Sequence, residues 1–159
     1  MHPYILTNGE FTLSTDPARL DFEAVFAFLS TTYWARLRPR HVFEKAVRNS
    51  MCFGLYKGDA QVGFARAITD YATFAWLADV YVLPEYRRRG LARWIVQSMM
   101  EHPELKGMRR WGLLTEDAQN LYRQCGYTTM RHPEHMMERL QPWGDPGQTG
   151  SPGRPKDVV

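Results

Sequence analysis

Val80-Tyr81-Val82-Leu83 is an apolar run that Pro84 stops, Arg87-Arg88-Arg89-Gly90 is a basic turn, and apolar residues recur at helical spacing from Leu91 onward. A strand, a tight basic turn and a helix in that order leave the first helical N–H groups without intrahelical partners. They also place the positive end of the helix dipole at the junction. Such a junction suits an anion, most often a phosphate. Gly90 has no Cβ, so a ligand can approach the backbone there and the turn can take a positive φ. Ala92 keeps the first helical turn nearly as bare.

The rest of the chain supplies the elements such a junction needs. Phe11–Ser14 reads as a short strand within an otherwise helical start. Asp21 caps a helix carrying Phe22, Val25, Phe26 and Leu29, and a second helix carries Val42, Phe43, Ala46 and Val47. Met51–Tyr56 and Gln61–Ile68 form a hairpin about Lys57–Ala60, and Phe74–Val82 returns as a long central strand. The helix from Leu91 to Glu101 turns Leu91, Ile95, Val96 and Met99 inward. Trp111–Thr115 reads as a strand, Ala118–Cys125 as a short helix ended by Gly126, and Tyr127–Met130 as a last strand. The pattern is an α/β sheet of mixed, mostly antiparallel direction flanked by helices.

Two segments resemble the GNAT superfamily of acetyl-CoA-dependent N-acetyltransferases. Arg87-x-x-Gly90-x-Ala92 matches the family's Gln/Arg-x-x-Gly-x-Gly/Ala turn, and Ala118-x-x-Leu121-Tyr122-x-x-x-Gly126-Tyr127 matches its second recurring segment. The resemblance implies a single-domain GNAT fold in which the Phe74–Val82 strand and the strand after it splay apart. The pantetheine arm of acetyl-CoA would enter that gap and pair with the backbone of Val80, Tyr81 and Val82. Arg87, Arg88, Arg89, Gly90, Leu91 and Ala92 would hold its pyrophosphate. Thr115 stands where the family often has an Asn that bonds the pantetheine arm.

The chemistry so implied is direct attack of an amine on the thioester within a ternary complex. Tyr122 matches the family tyrosine that protonates the departing sulfur; a half-buried helix aromatic is the alternative. Asp79, the one carboxylate inside the central strand, is the candidate base, with the holding of local backbone as the alternative. Tyr33, Trp34, Arg38, Tyr71 and Trp76 would wall the acceptor, the aromatics by stacking and Arg38 by holding a carboxylate. Cys125 sits at a helix end and suggests packing, not an acyl relay. Pro133 breaks the helix that would align His132 and His135, so no metal is expected.

Composition narrows the partners. The 159 residues and 44% hydrophobic content suit one core, assigned to residues 1–140, with a flexible Gly/Pro-rich tail over 141–159. A net charge of +3 favours an anionic small molecule and gives little reason to expect nucleic acid. Two cysteines offer no disulfide framework, no apolar run approaches the ~18 residues of a membrane span, and the N-terminus lacks signal-peptide features. The expectation is a cytoplasmic acetyltransferase acting on a small-molecule amine. A protein or aminoacyl-tRNA acceptor, a non-catalytic acyl-CoA-binding module and a homodimer stay open.

Overall fold

The Met51–Lys57 and Ala60–Thr69 segments pair because both carry apolar residues on two faces and meet at a two-residue loop, Gly58-Asp59. The computed structural model, which describes residues 2–143, builds a six-stranded sheet outward from this hairpin. Its strands are β1 (Ile5–Asn8), β2 (Phe11–Ser14), β3 (Met51–Lys57), β4 (Ala60–Thr69), β5 (Phe74–Val82) and β6 (Arg110–Gly112), in that spatial order. Neighbours are antiparallel except β5 and β6, which run parallel. Among the described residues four α-helices accompany them: α1 (Phe22–Leu29), α2 (Arg40–Arg48), α3 (Leu91–Glu101) and α4 (Gln119–Gln124). Among the described residues no helix is long and apolar enough to cross a membrane.

Alternation along the strands divides the core in two. Ala65 and Val82 belong to a cluster with Leu91, Ile95, Val96 and Met99 of α3. Their neighbours Phe64 and Tyr81 belong to a second cluster with Val25 and Leu29 of α1 and Phe43 of α2. Each fully buried aliphatic of α3 contributes roughly 1.5–3 kcal/mol by leaving water, more than its helix propensity can supply. Asp21 caps α1 by accepting from the Ala24 N–H at 3.0 Å, as its position suggested.

Three elements differ from the sequence reading. The start is a hairpin: β1 pairs with β2 through Gly9-Glu10, and Gly9 takes a φ of +58° that lets so short a loop follow the strand twist. β6 covers three residues where five were expected, and Tyr127–Met130 forms no strand. A strand requires a partner ladder, and β6 pairs only Arg110, Trp111 and Gly112, all with β5. Beyond Tyr127 the residues through Met130 are exposed, so burial adds nothing to hold them extended. Of the expected 141–159 tail, residues 144–159 lie outside those described.

Two local features open the sheet at one place. The β4–β5 register slips between Phe64–Tyr81 and Arg66–Ala78, which leaves one extra residue on β5. Asp79 lies in that bulge with φ +55°. On the opposite edge, β5–β6 pairing ends at Trp76–Gly112, so among the described residues β5 runs from Leu77 to Val82 without a partner on that side. Gly112 permits this junction: a Cβ there would lie 2.8 Å from Cε3 of Trp76.

Candidate active site

β5 delivers the chain into the basic turn, and the turn delivers it into α3. Arg88 (φ +61°) and Gly90 (φ +74°) are both left-handed, a backbone arrangement that turns N–H groups toward a common concavity. Gly90 is the N-cap of α3 and supplies no side-chain acceptor, so the first-turn N–H groups remain for a ligand. A Cβ on Gly90 would meet no protein atom within 4 Å, which leaves the approach to this backbone clear. These features fit a pyrophosphate.

An open cleft of about 300 Å³ lies at this junction. It gathers Val82, Arg87, Arg88, Gly90, Leu91 and Ala92 of the expected cofactor set, and adds Tyr86, Arg93, and Leu121 and Gln124 from α4. The other expected contacts stand elsewhere. Arg89 reaches Glu10 at 3.5 Å and lies over the Tyr86 ring. Tyr81 is buried on the other face, its ring stacked on Phe28 with centroids 4.1 Å apart. Val80 packs half-buried against the α3 cluster, so its backbone is what it offers the open edge. The Thr115 hydroxyl accepts from the Ala118 N–H at 3.0 Å and thereby organises the entry to α4.

Tyr122 projects from α4 and is half-buried, with its ring edge-to-face against Tyr127. Burial first, then the neighbouring Tyr33, Cys125 and Asp117, pushes its phenol up to about 12. A phenol so placed stays protonated throughout the neutral range and is available as a donor. Cys125 is buried, and burial pushes its thiol up as well, which opposes a nucleophilic thiolate.

Asp79 sits inside a buried ion-pair cluster. Its side chain is 1% exposed; Arg38 grips it through two bonds of 2.7 and 3.0 Å, and the Arg66 Nε–H donates to it at 2.5 Å. Burial alone would raise its pKa, but the two arginines outweigh that and hold the carboxyl below its usual range. A carboxylate in that state is a poor proton acceptor. Arg38 is correspondingly spent on Asp79 and not held out to an acceptor. Arg66 also donates to the Ser50 hydroxyl at 3.0 Å.

The aromatic wall is only partly assembled. Tyr33 and Trp34 are adjacent, edge-to-face at 5.0 Å, and both well exposed. Trp76 stacks with Phe74 at 6.3 Å beside the β5–β6 split. Tyr71 sits in the β4–β5 turn, exposed, with φ +59°. His132, Glu134 and His135 come within 4.8 Å of one another on an exposed 3-10 turn. They stand closer together than the helix-breaking Pro133 suggested.

Comparison with known proteins decides the family. Residues 48–129 match the model of the acetyltransferase (GNAT) domain. The chain belongs to the GNAT acetyltransferase family. A crystal structure of a GNAT-family protein from Xanthomonas campestris is 44% identical, with a TM-score of 0.79, over 83% of this chain and 94% of that one. A Gibberella zeae protein named "putative acetyltransferase" is 38% identical over 76% of this chain and 80% of its own. A GNAT-family protein of Streptococcus pneumoniae, 22% identical with a TM-score of 0.61 over 82% of this chain and 94% of that one, shares the fold.

GNAT acetyltransferases take acetyl-CoA as co-substrate and act on amine acceptors, so the chain is an acyltransferase. Arg66 is the residue the sequence reading passed over. An arginine inside the otherwise apolar Val62–Ile68 run was the signal, because a charge buried in a central strand demands a partner. Asp79 was the only carboxylate in the neighbouring strand.

Proposed function

We propose that this enzyme moves the acetyl group of acetyl-CoA to a primary amine of a small molecule, by direct attack in a ternary complex. The observation that carries the reading is that two features meet at the cleft and a third stands on the helix that lines it. They are the bare left-handed turn at Arg88–Gly90, the unpaired edge of β5 from Leu77 to Val82, and Tyr122 on α4, whose Leu121 lines the same cleft. Bound acetyl-CoA supplies a thioester carbonyl for the amine and a thiolate that leaves.

The chain's residues do the rest. Backbone N–H groups of the turn and of the first turn of α3 hold the pyrophosphate, with Arg88 adding charge. The β5 edge pairs with the amide-bearing arm as it would with another strand. Tyr122 gives its phenolic proton to the leaving sulfur. Asp79 takes no proton, so the amine attacks as its neutral form, and the proton its nitrogen sheds as the C–S bond breaks returns through water to the Tyr122 phenolate. Tyr33, Trp34 and Trp76 supply the apolar side of the acceptor seat.

Amine-dependent release of the coenzyme A thiol tests this reading. The panel should contain small amines, a peptide with a free N-terminus and an aminoacyl-tRNA. Turnover with a small amine supports the proposal. Turnover confined to the peptide, or to the tRNA with steep salt dependence, moves the acceptor class to a macromolecule. Tight acetyl-CoA binding with no release for any amine identifies a non-catalytic binding module.

A further inference from the structure

Residues 30–39, the segment between α1 and α2, are fastened at two points on opposite sides of the β5–β6 split. At one point Tyr33 Oη accepts from the Glu116 N–H at 3.1 Å and lies 3.5 Å from Asp117 Oδ1, in the connection between β6 and α4. At the other, Arg38 makes its two bonds to Asp79 in the β5 bulge. Within the segment, Thr32 and Ala35 are buried while Tyr33 and Trp34 are 43% and 39% exposed. The segment is turned, not extended: the Arg36 N–H bonds the Thr32 carbonyl and the Arg38 N–H the Ala35 carbonyl.

Charge separates the roles of the two arginines. Arg66 comes from β4 and, with Asp79, forms a balanced pair inside the sheet. Arg38 adds a second positive charge to that pair. Buried charges are costly unless matched, and the pair needs no further cation to be neutral. What Arg38 adds is a bidentate link, a geometry that fixes direction as well as distance. That link joins a loop to the strand beside which the reacting thioester is proposed to lie.

We infer that residues 30–39 form a strap over the acceptor side of the site, and that Arg38 and Tyr33 are positioning residues that hold Trp34 and the Tyr33 ring against it. The inference rests on the acetyltransferase reading for its kinetic consequence but not for its structural one. Acceptor affinity depends on both fastenings. Binding of acetyl-CoA, which uses the β5 edge and the α3 turn, does not.

The test uses Arg38→Gln, which leaves the neutral Arg66–Asp79 pair intact, and Tyr33→Phe, which removes the other fastening. Hydrogen exchange of the Arg36 and Arg38 amides should accelerate by about tenfold or more in Arg38→Gln, the scale of one lost charge-assisted pair. The Leu83 amide, bonded to Val62 in the sheet, should not change. The acceptor KM should rise about tenfold with acetyl-CoA affinity within about twofold of wild type, and Arg38→Lys should recover part of the loss. Tyr33→Phe should raise the same KM even if Arg38→Gln fails to fold. Unchanged exchange across residues 32–38 would overturn the strap. Faster exchange with an unchanged acceptor KM in both variants would overturn the positioning role. Absence of transfer by the wild type would instead defeat the acetyltransferase reading and leave the exchange result to decide the strap alone.

Discussion

Arg87 donates its Nε–H to the carbonyl of Val82 across 2.9 Å, which folds the first arginine of the basic turn back onto the strand it follows. Arg87 therefore shapes the turn, while the Arg88 side chain, on a left-handed backbone beside the cleft, is the one we propose meets a phosphate. Arg87→Ala should lower both Tm and acetyl-CoA affinity. Arg88→Ala should weaken acetyl-CoA by about tenfold with Tm nearly unchanged, the worth of one charge-assisted contact. Calorimetric titration at two ionic strengths checks this, because losing a phosphate contact also flattens the salt dependence. Equal affinities in Arg88→Ala and wild type would move the phosphate elsewhere.

Gly90 separates backbone strain from ligand exclusion. An L-residue at its φ of +74° costs roughly 1–2 kcal/mol, while the added Cβ meets nothing in the protein within 4 Å. Gly90→Ala should therefore fold with a modestly lower Tm and lose most of the stabilisation that saturating acetyl-CoA gives the wild type. A thermal-shift series over acetyl-CoA concentration reads both effects. A folded Gly90→Ala variant with the full ligand shift would place the pyrophosphate away from this turn.

The long elements were legible because pattern and packing agree in them. The β5 strand, the α3 helix and the β3–β4 hairpin carry apolar residues at the period the structure uses. The Asn8-Gly9 pair was a turn signal for the first hairpin, but β1 is mostly exposed and carries little apolar patterning. Tyr127–Met130 has strand-forming residues and no ladder to join, a fact that lies in the length of β6 and not in the segment itself. Within the candidate site, the left-handed backbone of Gly90 could be read locally. The fates of Asp79 and Arg38 could not, because they depend on a contact between residues 41 positions apart.

The pH behaviour follows from two groups with opposite shifts. The Tyr122 phenol, pushed up to about 12 by burial, remains a donor well into alkaline solution. The Asp79 carboxyl, held below its usual 3.8 by Arg38 and Arg66 against the cost of burial, stays ionised through neutrality. The rate should thus climb with pH as the acceptor amine deprotonates, with no falling limb below about pH 10. Stability runs in the same direction at the acid end. A depressed folded pKa contributes stability that is fully present above the unfolded value and is lost as pH falls through the folded one. Acid unfolding followed by circular dichroism should be less steep below pH 3.8 in Asp79→Asn than in wild type. An acidic limb in kcat that Asp79→Asn abolishes would restore Asp79 as a base.

The role of Tyr122 as proton donor is the step on which the account of transfer depends. Tyr122→Phe keeps the ring that packs beside Tyr127 and removes only the hydroxyl. General acids typically contribute ~10²–10⁴-fold, and a thiolate leaves readily, so a drop of about 10²-fold is expected. The decisive measurement is the single-turnover rate of acetyl transfer from bound acetyl-CoA to the preferred amine, compared between wild type and Tyr122→Phe. That rate should fall about 10²-fold while Tm and acetyl-CoA affinity stay within error of wild type. A variant that transfers acetyl at the wild-type rate would contradict that donor role.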